Sequence, residues 1–219
     1  MQYEGRLEAG RLLAAEVCRL GLGPCVVAGL LPGGIVVAEP IAQQLCAPLV
    51  PLETRMLSSP QAPEWAFGAI DEDGRVVLDY RAMVTLGLGT ADVDAIKDVA
   101  MEEIARRRAS LPGQRLVDLL PGRTAILVED GLAAGLRMQA AVAYAQRHGA
   151  TATVVAVPCA SDRASYELAS VLSRPDDRLV CPLVDPGFRA VSDCYREFPD
   201  VPDVEVARIL EHTASTGSP

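Results

Sequence analysis

The sequence contains very little lysine and histidine. Lys97 is the only lysine, so arginine provides 19 of the 20 basic residues, and the two histidines are His148 and His212. Acidic residues outnumber basic ones by 29 to 20, which leaves a formal net charge of -9. Because a nucleic-acid-binding surface needs a basic face, we expect no nucleic-acid partner. With so little histidine, neither a Ser-His-Asp triad nor a histidine-based metal centre is supported.

Long hydrophobic runs and a leader-like beginning are also missing. No apolar run approaches the roughly 18 to 20 residues that a membrane-spanning helix needs, and residues 1–4 do not open a signal peptide. We therefore expect a cytoplasmic protein with no membrane partner. No C-x-x-C pair occurs, so the scattered cysteines are interpreted as small buried hydrophobic residues rather than disulfides or a zinc site: Cys18, Cys25, Cys46, Cys159, Cys181 and Cys194.

Aromatic residues are scarce, but other apolar residues suffice for a core. Half of the 219 residues are hydrophobic and 22% are charged, which is typical of a globular protein. The length favours one domain, which we expect at residues 1–214, followed by a disordered tail at 215–219. Trp65 and Phe67 lie on the same predicted strand, and we expect both in the core.

Strand-like and helix-like segments alternate along the chain. Strands are predicted at 25–31, 49–57, 65–70, 75–79, 124–129, 152–157 and 178–181. Helices are predicted at 6–20, 35–46, 90–108, 135–148, 161–172, 190–197 and 202–211, with a hairpin turn at 71–74 and a loop at 109–122. This order predicts an α/β fold with a Rossmann-like, mainly parallel sheet flanked by helices.

Two small-residue loops follow predicted strands and precede predicted helices. In parallel sheets ligands bind beyond the carboxyl ends of the strands, and a helix N-terminus favours an anion. The first loop is Leu31, Pro32, Gly33 and Gly34, and the second covers 130–137. Glu129 and Asp130 stand directly before the second loop. Because two adjacent carboxylates repel each other, we expect a cationic or hydroxyl-rich partner in front of them.

The segment TAILVEDGLAAG, residues 124–135, resembles the binding motif for phosphoribosyl pyrophosphate in type I phosphoribosyltransferases. The resemblance implies that Glu129 and Asp130, the candidate catalytic residues, hold the two ribose hydroxyls. It also implies that the loop amides bind the 5′-phosphate, which makes the following residues substrate-binding candidates: Gly131, Leu132, Ala133, Ala134, Gly135, Leu136 and Arg137.

The likeness to a bacterial subgroup of this family extends over nearly the whole chain, including segments 8–14, 63–70, 154–160 and 188–210. It implies a small hood region and a diphosphate loop formed by Leu31, Pro32, Gly33 and Gly34. It also implies Arg55 as a basic contact and Mg²⁺ carried on the diphosphate without direct protein ligands. Phe188 is placed either in the hood over the base or in the core. The expected partner is a phosphorylated small molecule, and a homodimer is the expected assembly.

Four positions depart from the subgroup where phosphate contacts are implied. Pro32 stands at an arginine position, Met56 at a lysine position, Pro112 in place of a mobile-loop arginine, and Ala134 in place of a threonine. Arg137 occupies the position of a hydroxyl residue, and its guanidinium fork would replace part of the lost contacts.

Three hypotheses of function follow from this combination. The first is a phosphoribosyltransferase that moves ribose 5-phosphate from its pyrophosphate to a nitrogenous acceptor. The second is a repurposed biosynthetic enzyme that uses the same cleft on a substrate without diphosphate. The third is a non-catalytic sensor of a nucleotide or ribose phosphate. The departures favour the second and third, whereas the motif itself favours the first.

Overall fold

The computed structural model describes residues 2–216. Its helices are α1 (Arg6–Cys18), α2 (Gly33–Leu45), α3 (Tyr80–Leu86), α4 (Thr90–Ser110), α5 (Leu116–Leu119), α6 (Leu136–Arg147), α7 (Asp162–Val171) and α8 (Asp203–Thr216). Its strands are β1 (Cys25–Leu30), β2 (Leu49–Leu52), β3 (Arg55–Ser59), β4 (Ala62–Ile70), β5 (Val76–Leu78), β6 (Thr124–Val128), β7 (Thr153–Ala156), β8 (Cys159–Ser161), β9 (Arg178–Val180) and β10 (Leu183–Asp185).

The central sheet has five parallel strands in the order β2-β1-β6-β7-β9. Successive side chains on a strand point to opposite faces, so both faces of a central strand must be apolar when helices cover both. Val26 accordingly clusters with Met138 of α6, whereas its neighbour Val27 clusters with Leu13 of α1 and Ile41 of α2. The predicted α/β fold with a mainly parallel sheet flanked by helices is confirmed.

A second sheet is antiparallel, contains β3, β4 and β5, and packs against α3 and α4. The single strand predicted at 49–57 is therefore wrong, because β2 and β3 belong to different sheets. Helix α3 was not predicted; Asp79 caps it by accepting hydrogen bonds from the amides of Arg81 and Ala82. The predicted loop 109–122 contains the short helix α5.

The prediction for Trp65 is wrong, whereas that for Phe67 is confirmed. Trp65 is 54% exposed and Phe67 is fully buried. Residues two apart on a strand should share a face, but the β3–β4 pairing has register shifts on both sides of Ser58. Such bulges interrupt the alternation of a strand. The outer half of β4 extends away from the core.

The N-terminal segment is tied to a segment from near the end of the chain, residues 194–200. The Tyr3 amide donates to the Cys194 carbonyl at 2.8 Å, and the Arg196 amide donates to the Tyr3 carbonyl at 2.8 Å. Only a 3₁₀ turn (Val191–Cys194) forms where a helix was predicted at 190–197. This pairing places the start of α1 at the carboxyl edge of the central sheet.

The six cysteines differ in their exposure to solvent. Cys159 and Cys194 are buried, but Cys46 is exposed, so the interpretation of all six cysteines as buried residues is wrong.

Helix α8 reaches Thr216, and residues 217–219 of the predicted disordered tail lie outside the described residues. Within residues 2–216, no helix combines the length and apolar character needed to cross a bilayer.

Candidate functional site

A cavity of about 410 Å³ opens beyond the carboxyl ends of β1 and β6. Most of the candidates named from the sequence line it: Pro32, Gly33, Gly34, Met56, Glu129, Asp130, Gly131, Leu132, Ala133, Ala134, Gly135, Leu136 and Arg137. Its other lining residues come from outside the two loops: Arg6, Leu30, Val191, Phe198, Asp200 and Val201. The two loops therefore share one concave site, as expected for the carboxyl edge of a parallel sheet.

The two glycines of the first loop allow it to pack directly on the acidic pair. A Cβ atom built on Gly33 would lie 1.9 Å from Asp130 Oδ2, and one on Gly34 would lie 2.4 Å from the Val128 carbonyl oxygen. Real Cβ atoms do not approach that closely, so any larger residue at Gly34 would displace backbone. The glycines thus serve close approach between the two loops, and neither has a positive φ.

Asp130 is paired with an arginine from the first helix. Arg6 Nε donates to Asp130 Oδ2 at 2.8 Å, and Arg6 Nη1 donates to the Pro199 carbonyl at 2.6 Å. The Arg6 guanidinium carbon lies 3.7 Å from the centre of the Phe198 ring. The Tyr195 hydroxyl also donates to the Asp130 carbonyl at 2.6 Å. Segment 194–200 is therefore anchored to Asp130 at two points, directly through Tyr195 and by way of Arg6 through Pro199.

Glu129 is paired with Arg137 of α6. Glu129 is only 7% exposed, and its Oε1 atom lies 3.2 Å from Arg137 Nη1. Burial raises the pKa of Glu129 to about 7, with Arg137 opposing the shift and Asp130 adding to it. Arg137 Nε donates to the Thr54 carbonyl at 3.0 Å, and Nη2 donates to the Leu31 carbonyl. Each nitrogen of Arg137 thus has an acceptor within the protein, and the phosphate contact expected from the sequence stays a prediction.

Each acid has one oxygen without a hydrogen bond. Within the described part of the chain no donor bonds to Asp130 Oδ1 or Glu129 Oε2, whereas Asp130 Oδ2 accepts from Arg6 Nε and Glu129 Oε1 lies 3.2 Å from Arg137 Nη1. A free carboxylate oxygen at the wall of a cavity can accept a hydroxyl donor. Glu129 and Asp130 together offer two such acceptors. Arg137 and Arg6 balance their negative charge.

The loop after the acids presents unpaired amides. The Leu132 amide donates to the Cys159 carbonyl at 2.9 Å and anchors the loop. Within residues 2–216, the amides of Gly131 and of residues 133–135 have no acceptor. Gly135, with φ of 73°, then starts α6, whose dipole adds positive potential. A cluster of free amides at a helix N-terminus can bind a phosphate group.

Three sequence candidates lie away from the cavity. Arg55 pairs with Glu103, and its guanidinium lies 3.6 Å from the Glu53 carboxylate. These two acids neutralise its charge beside the antiparallel sheet. Leu31 points into an apolar cluster with α8 residues and offers only its carbonyl, to Arg137. Phe188 packs in a cluster with Cys159 and Tyr195, and Phe198 is the aromatic residue at the cavity instead.

A family model described as "Phosphoribosyl transferase domain" matches residues 3–179. The chain belongs to this family. It is 37% identical over 209 residues to the Mycobacterium tuberculosis (strain H37Rv) protein named "Putative phosphoribosyl transferase Rv0571c". That match covers 95% of this chain but 46% of the relative, so the chain spans less than half the length of the curated relative. The family resemblance seen in the sequence is confirmed.

Solved structures agree with the fold. The crystal structure of TT1426 from Thermus thermophilus superimposes with a TM-score of 0.76 at 32% identity, covering 97% of this chain and 99% of that one. The AQ2163 protein from Aquifex aeolicus, at 10% identity and a TM-score of 0.51, covers 82% of this chain and 74% of that one. The second match supports the fold alone.

Sequence reasoning missed two residues of the site, Arg6 and Phe198. Arg6 opens a helix and Phe198 lies in a loop, so neither has a local pattern typical of a binding residue. The available signals were that Phe198 lies within the family-like segment 188–210 and that Arg6 lies two residues before the one at 8–14. What brings it to Asp130, 124 residues away, is the pairing of Tyr3 with residues 194–196.

Proposed function

We propose that this chain binds a ribose 5-phosphate-type ligand and transfers phosphoribose from phosphoribosyl pyrophosphate to a nitrogenous acceptor. The observation that carries the proposal is the free oxygen on each of Glu129 and Asp130 beside an amide-rich loop. Adjacent acceptors suit the vicinal 2′- and 3′-hydroxyls of ribose, and the amides suit its 5′-phosphate. The chain spans less than half the length of its curated relative. The proposal therefore also covers the activity of any longer protein that contains this chain.

In the proposed reaction the bond between C1 of the ribose and the diphosphate oxygen breaks. A bond from C1 to the acceptor nitrogen forms, pyrophosphate leaves with the electron pair of the broken bond, and the acceptor releases a proton if it carries one. The chain contributes mainly by positioning the ribose and by placing carboxylates near the positive charge that develops at C1. Its acids would act on the sugar rather than on the leaving group.

Magnesium would enter with the diphosphate. Carboxylate oxygens suit Mg²⁺, but among the described residues no three His, Cys, Asp or Glu side chains form a group that could hold a metal ion by themselves. We expect the diphosphate oxygens to hold Mg²⁺, while Glu129 and Asp130 hold the ribose hydroxyls beside it. The ion would neutralise charge on the leaving diphosphate.

The test is a calorimetric comparison of ribose 5-phosphate, 2-deoxyribose 5-phosphate and ribose. Loss of one hydroxyl leaves a carboxylate oxygen unpaired, so the deoxy sugar should bind about 10-fold more weakly or worse. Ribose without its phosphate should bind more weakly still. Equal affinity for the two phosphorylated sugars would contradict the assignment of the acids.

Transfer itself is tested by pyrophosphate release from phosphoribosyl pyrophosphate and Mg²⁺ with pooled nitrogenous acceptors. Release that needs an acceptor supports the transferase. Binding of ribose 5-phosphate without release in any pool would favour one of the alternatives, a sensor or an enzyme acting on a substrate without diphosphate.

A further inference from the structure

The diphosphate loop of this chain has no cation of its own. Pro32 occupies the arginine position, and Met56, which also lines the cavity, occupies the lysine position. In the described chain the only cations that line the cavity are Arg6 and Arg137. Arg137 has acceptors on all three nitrogens, at Thr54, Leu31 and Glu129. Arg6 differs from Arg137 in that one of its nitrogens, Nη2, has no acceptor among the described residues, which makes it the better placed cation for an anionic group near this loop.

Arg6 lies directly against the loop. A Cβ atom built on Gly33 would lie 2.9 Å from Arg6 Nε, so the guanidinium covers the loop where its side chains are smallest. The Arg6 side chain is 9% exposed, and stacking on Phe198 together with the bond to the Pro199 carbonyl fixes its plane. Within residues 2–216, Nη2 has no acceptor, which leaves its two N–H groups available for a ligand.

We infer that Arg6 is a ligand-binding and specificity-determining residue, which supplies to an anionic group beside residues 32–34 the charge-assisted contact that the loop lacks. The same side chain holds Asp130 through Nε, so it orients a ribose contact while it binds the anion. A guanidinium can do both because its donors point in different directions in one plane. The assignment of the anion to the diphosphate of the donor rests on the proposed function, whereas the Arg6 contact itself does not.

The experiment titrates Mg-pyrophosphate and ribose 5-phosphate separately into wild type, Arg6→Gln, Arg6→Lys and Arg11→Gln. Arg11 is an exposed arginine of the same helix, so its replacement removes the same charge away from the cavity. In Arg6→Gln, pyrophosphate affinity should fall about 10- to 100-fold, as expected for one lost charge-assisted contact, with ribose 5-phosphate changing less than about threefold. Arg6→Lys should lie between Gln and wild type, and Arg11→Gln should match wild type. Circular dichroism melting of each variant checks that it is folded.

The outcomes separate the inference from the proposed function. If wild type binds Mg-pyrophosphate through Arg6 but does not bind ribose 5-phosphate, the proposed function fails and the Arg6 contact stands. If ribose 5-phosphate loses as much affinity as pyrophosphate in Arg6→Gln, the loss is not specific to the anion beside residues 32–34 and the inference is overturned. Unchanged pyrophosphate affinity in that variant, or no pyrophosphate binding by wild type, also overturns it.

Discussion

Glu129 and Arg137 face each other across the turn between β6 and α6, with Oε1 of the acid 3.2 Å from Nη1 of the arginine. The same guanidinium reaches the carbonyls of Leu31 and Thr54. One side chain therefore joins the carboxyl ends of β1, β2 and β6. Arg137 therefore stabilises the arrangement of these three strand ends.

The first prediction concerns the stability that Arg137 contributes. Arg137→Gln removes contacts to Leu31, Thr54 and Glu129, and should lower the free energy of unfolding by roughly 1 to 3 kcal/mol. Urea unfolding followed by circular dichroism measures it. As a matched control, Arg163→Gln removes a 71% exposed arginine from α7 and should change stability by less than about 1 kcal/mol. Equal effects of the two replacements would show that Arg137 does not clamp the strands.

The second prediction is a pH dependence caused by Glu129. Its folded pKa of about 7 lies above the ordinary 4.5, so between these values the folded chain binds a proton that the unfolded chain has released. Its contribution to stability is therefore present below about pH 4.5 and is lost as the pH rises through about 7, by at most roughly 3 kcal/mol.

Replacing Glu129 by Gln tests this pH dependence because an amide does not titrate. Between pH 5 and pH 8 the stability of Glu129→Gln relative to wild type should rise by roughly 1 to 3 kcal/mol, measured by urea unfolding at constant ionic strength. Glu16→Gln, on the exposed side of α1, should give a curve parallel to wild type. Parallel curves for both variants would mean that Glu129 is ionised throughout.

The third prediction places an anion on the second loop. The free amides of Gly131 and residues 133–135 at the start of α6 should bind phosphate or sulfate from a crystallisation solution. A high-resolution crystal structure grown in phosphate should show the ion within hydrogen-bond distance of residues 131–137. An empty loop with its N–H groups turned away from the cavity would refute the phosphate site.

The fourth prediction concerns the departures from the family pattern. Arg6 and Arg137 are the only cations among the described cavity-lining residues and both already have protein partners, so wild type should bind phosphoribosyl pyrophosphate no more than about tenfold tighter than ribose 5-phosphate. The triple variant Pro32→Arg, Met56→Lys and Ala134→Thr should tighten the diphosphate ligand selectively, by about 10-fold or more, in calorimetry with Mg²⁺.

Pro32→Arg also restores a backbone N–H and changes the loop, so each replacement is measured alone as well. Micromolar binding of phosphoribosyl pyrophosphate by wild type, far above ribose 5-phosphate, would show that the departures do not weaken the diphosphate site. The ordinary transferase would then be the better description.

The parallel sheet and the acidic loop were predictable because both depend on local sequence. A fully apolar run such as 25–30 permits little other than a buried strand, and the small residues after Asp130 permit a close turn. The short helix α3 was not predictable, because seven residues give too little periodicity and its formation depends on the Asp79 cap and on packing against β4. Trp65 was misplaced because a bulge is set by pairing with a neighbouring strand.

The residues that pair with Glu129 and Asp130 could not be identified from the sequence, because these contacts depend on tertiary packing. The sequence predicted that something cationic or hydroxylated faces Glu129 and Asp130, and the structure supplies Arg137 and Arg6 on one oxygen of each. The sequence analysis assigned Arg137 to a phosphate contact and did not predict its contacts with Leu31 and Thr54, because these depend on how three strands pack. Arg6 is brought in by backbone pairing between residues near the two ends of the described chain.

The central claim is that the free oxygens of the acidic pair hold ribose hydroxyls, and it is tested most directly by titrating ribose 5-phosphate into Asp130→Asn. An amide accepts fewer hydroxyls than a carboxylate, so binding should weaken by roughly 1 to 3 kcal/mol, about 5- to 150-fold, with the fold intact. Asp200→Asn removes an equal charge from an exposed residue of the same cavity and should change affinity by less than about threefold. Affinity in Asp130→Asn equal to that of wild type would contradict the account and leave the acids as purely structural partners of the two arginines.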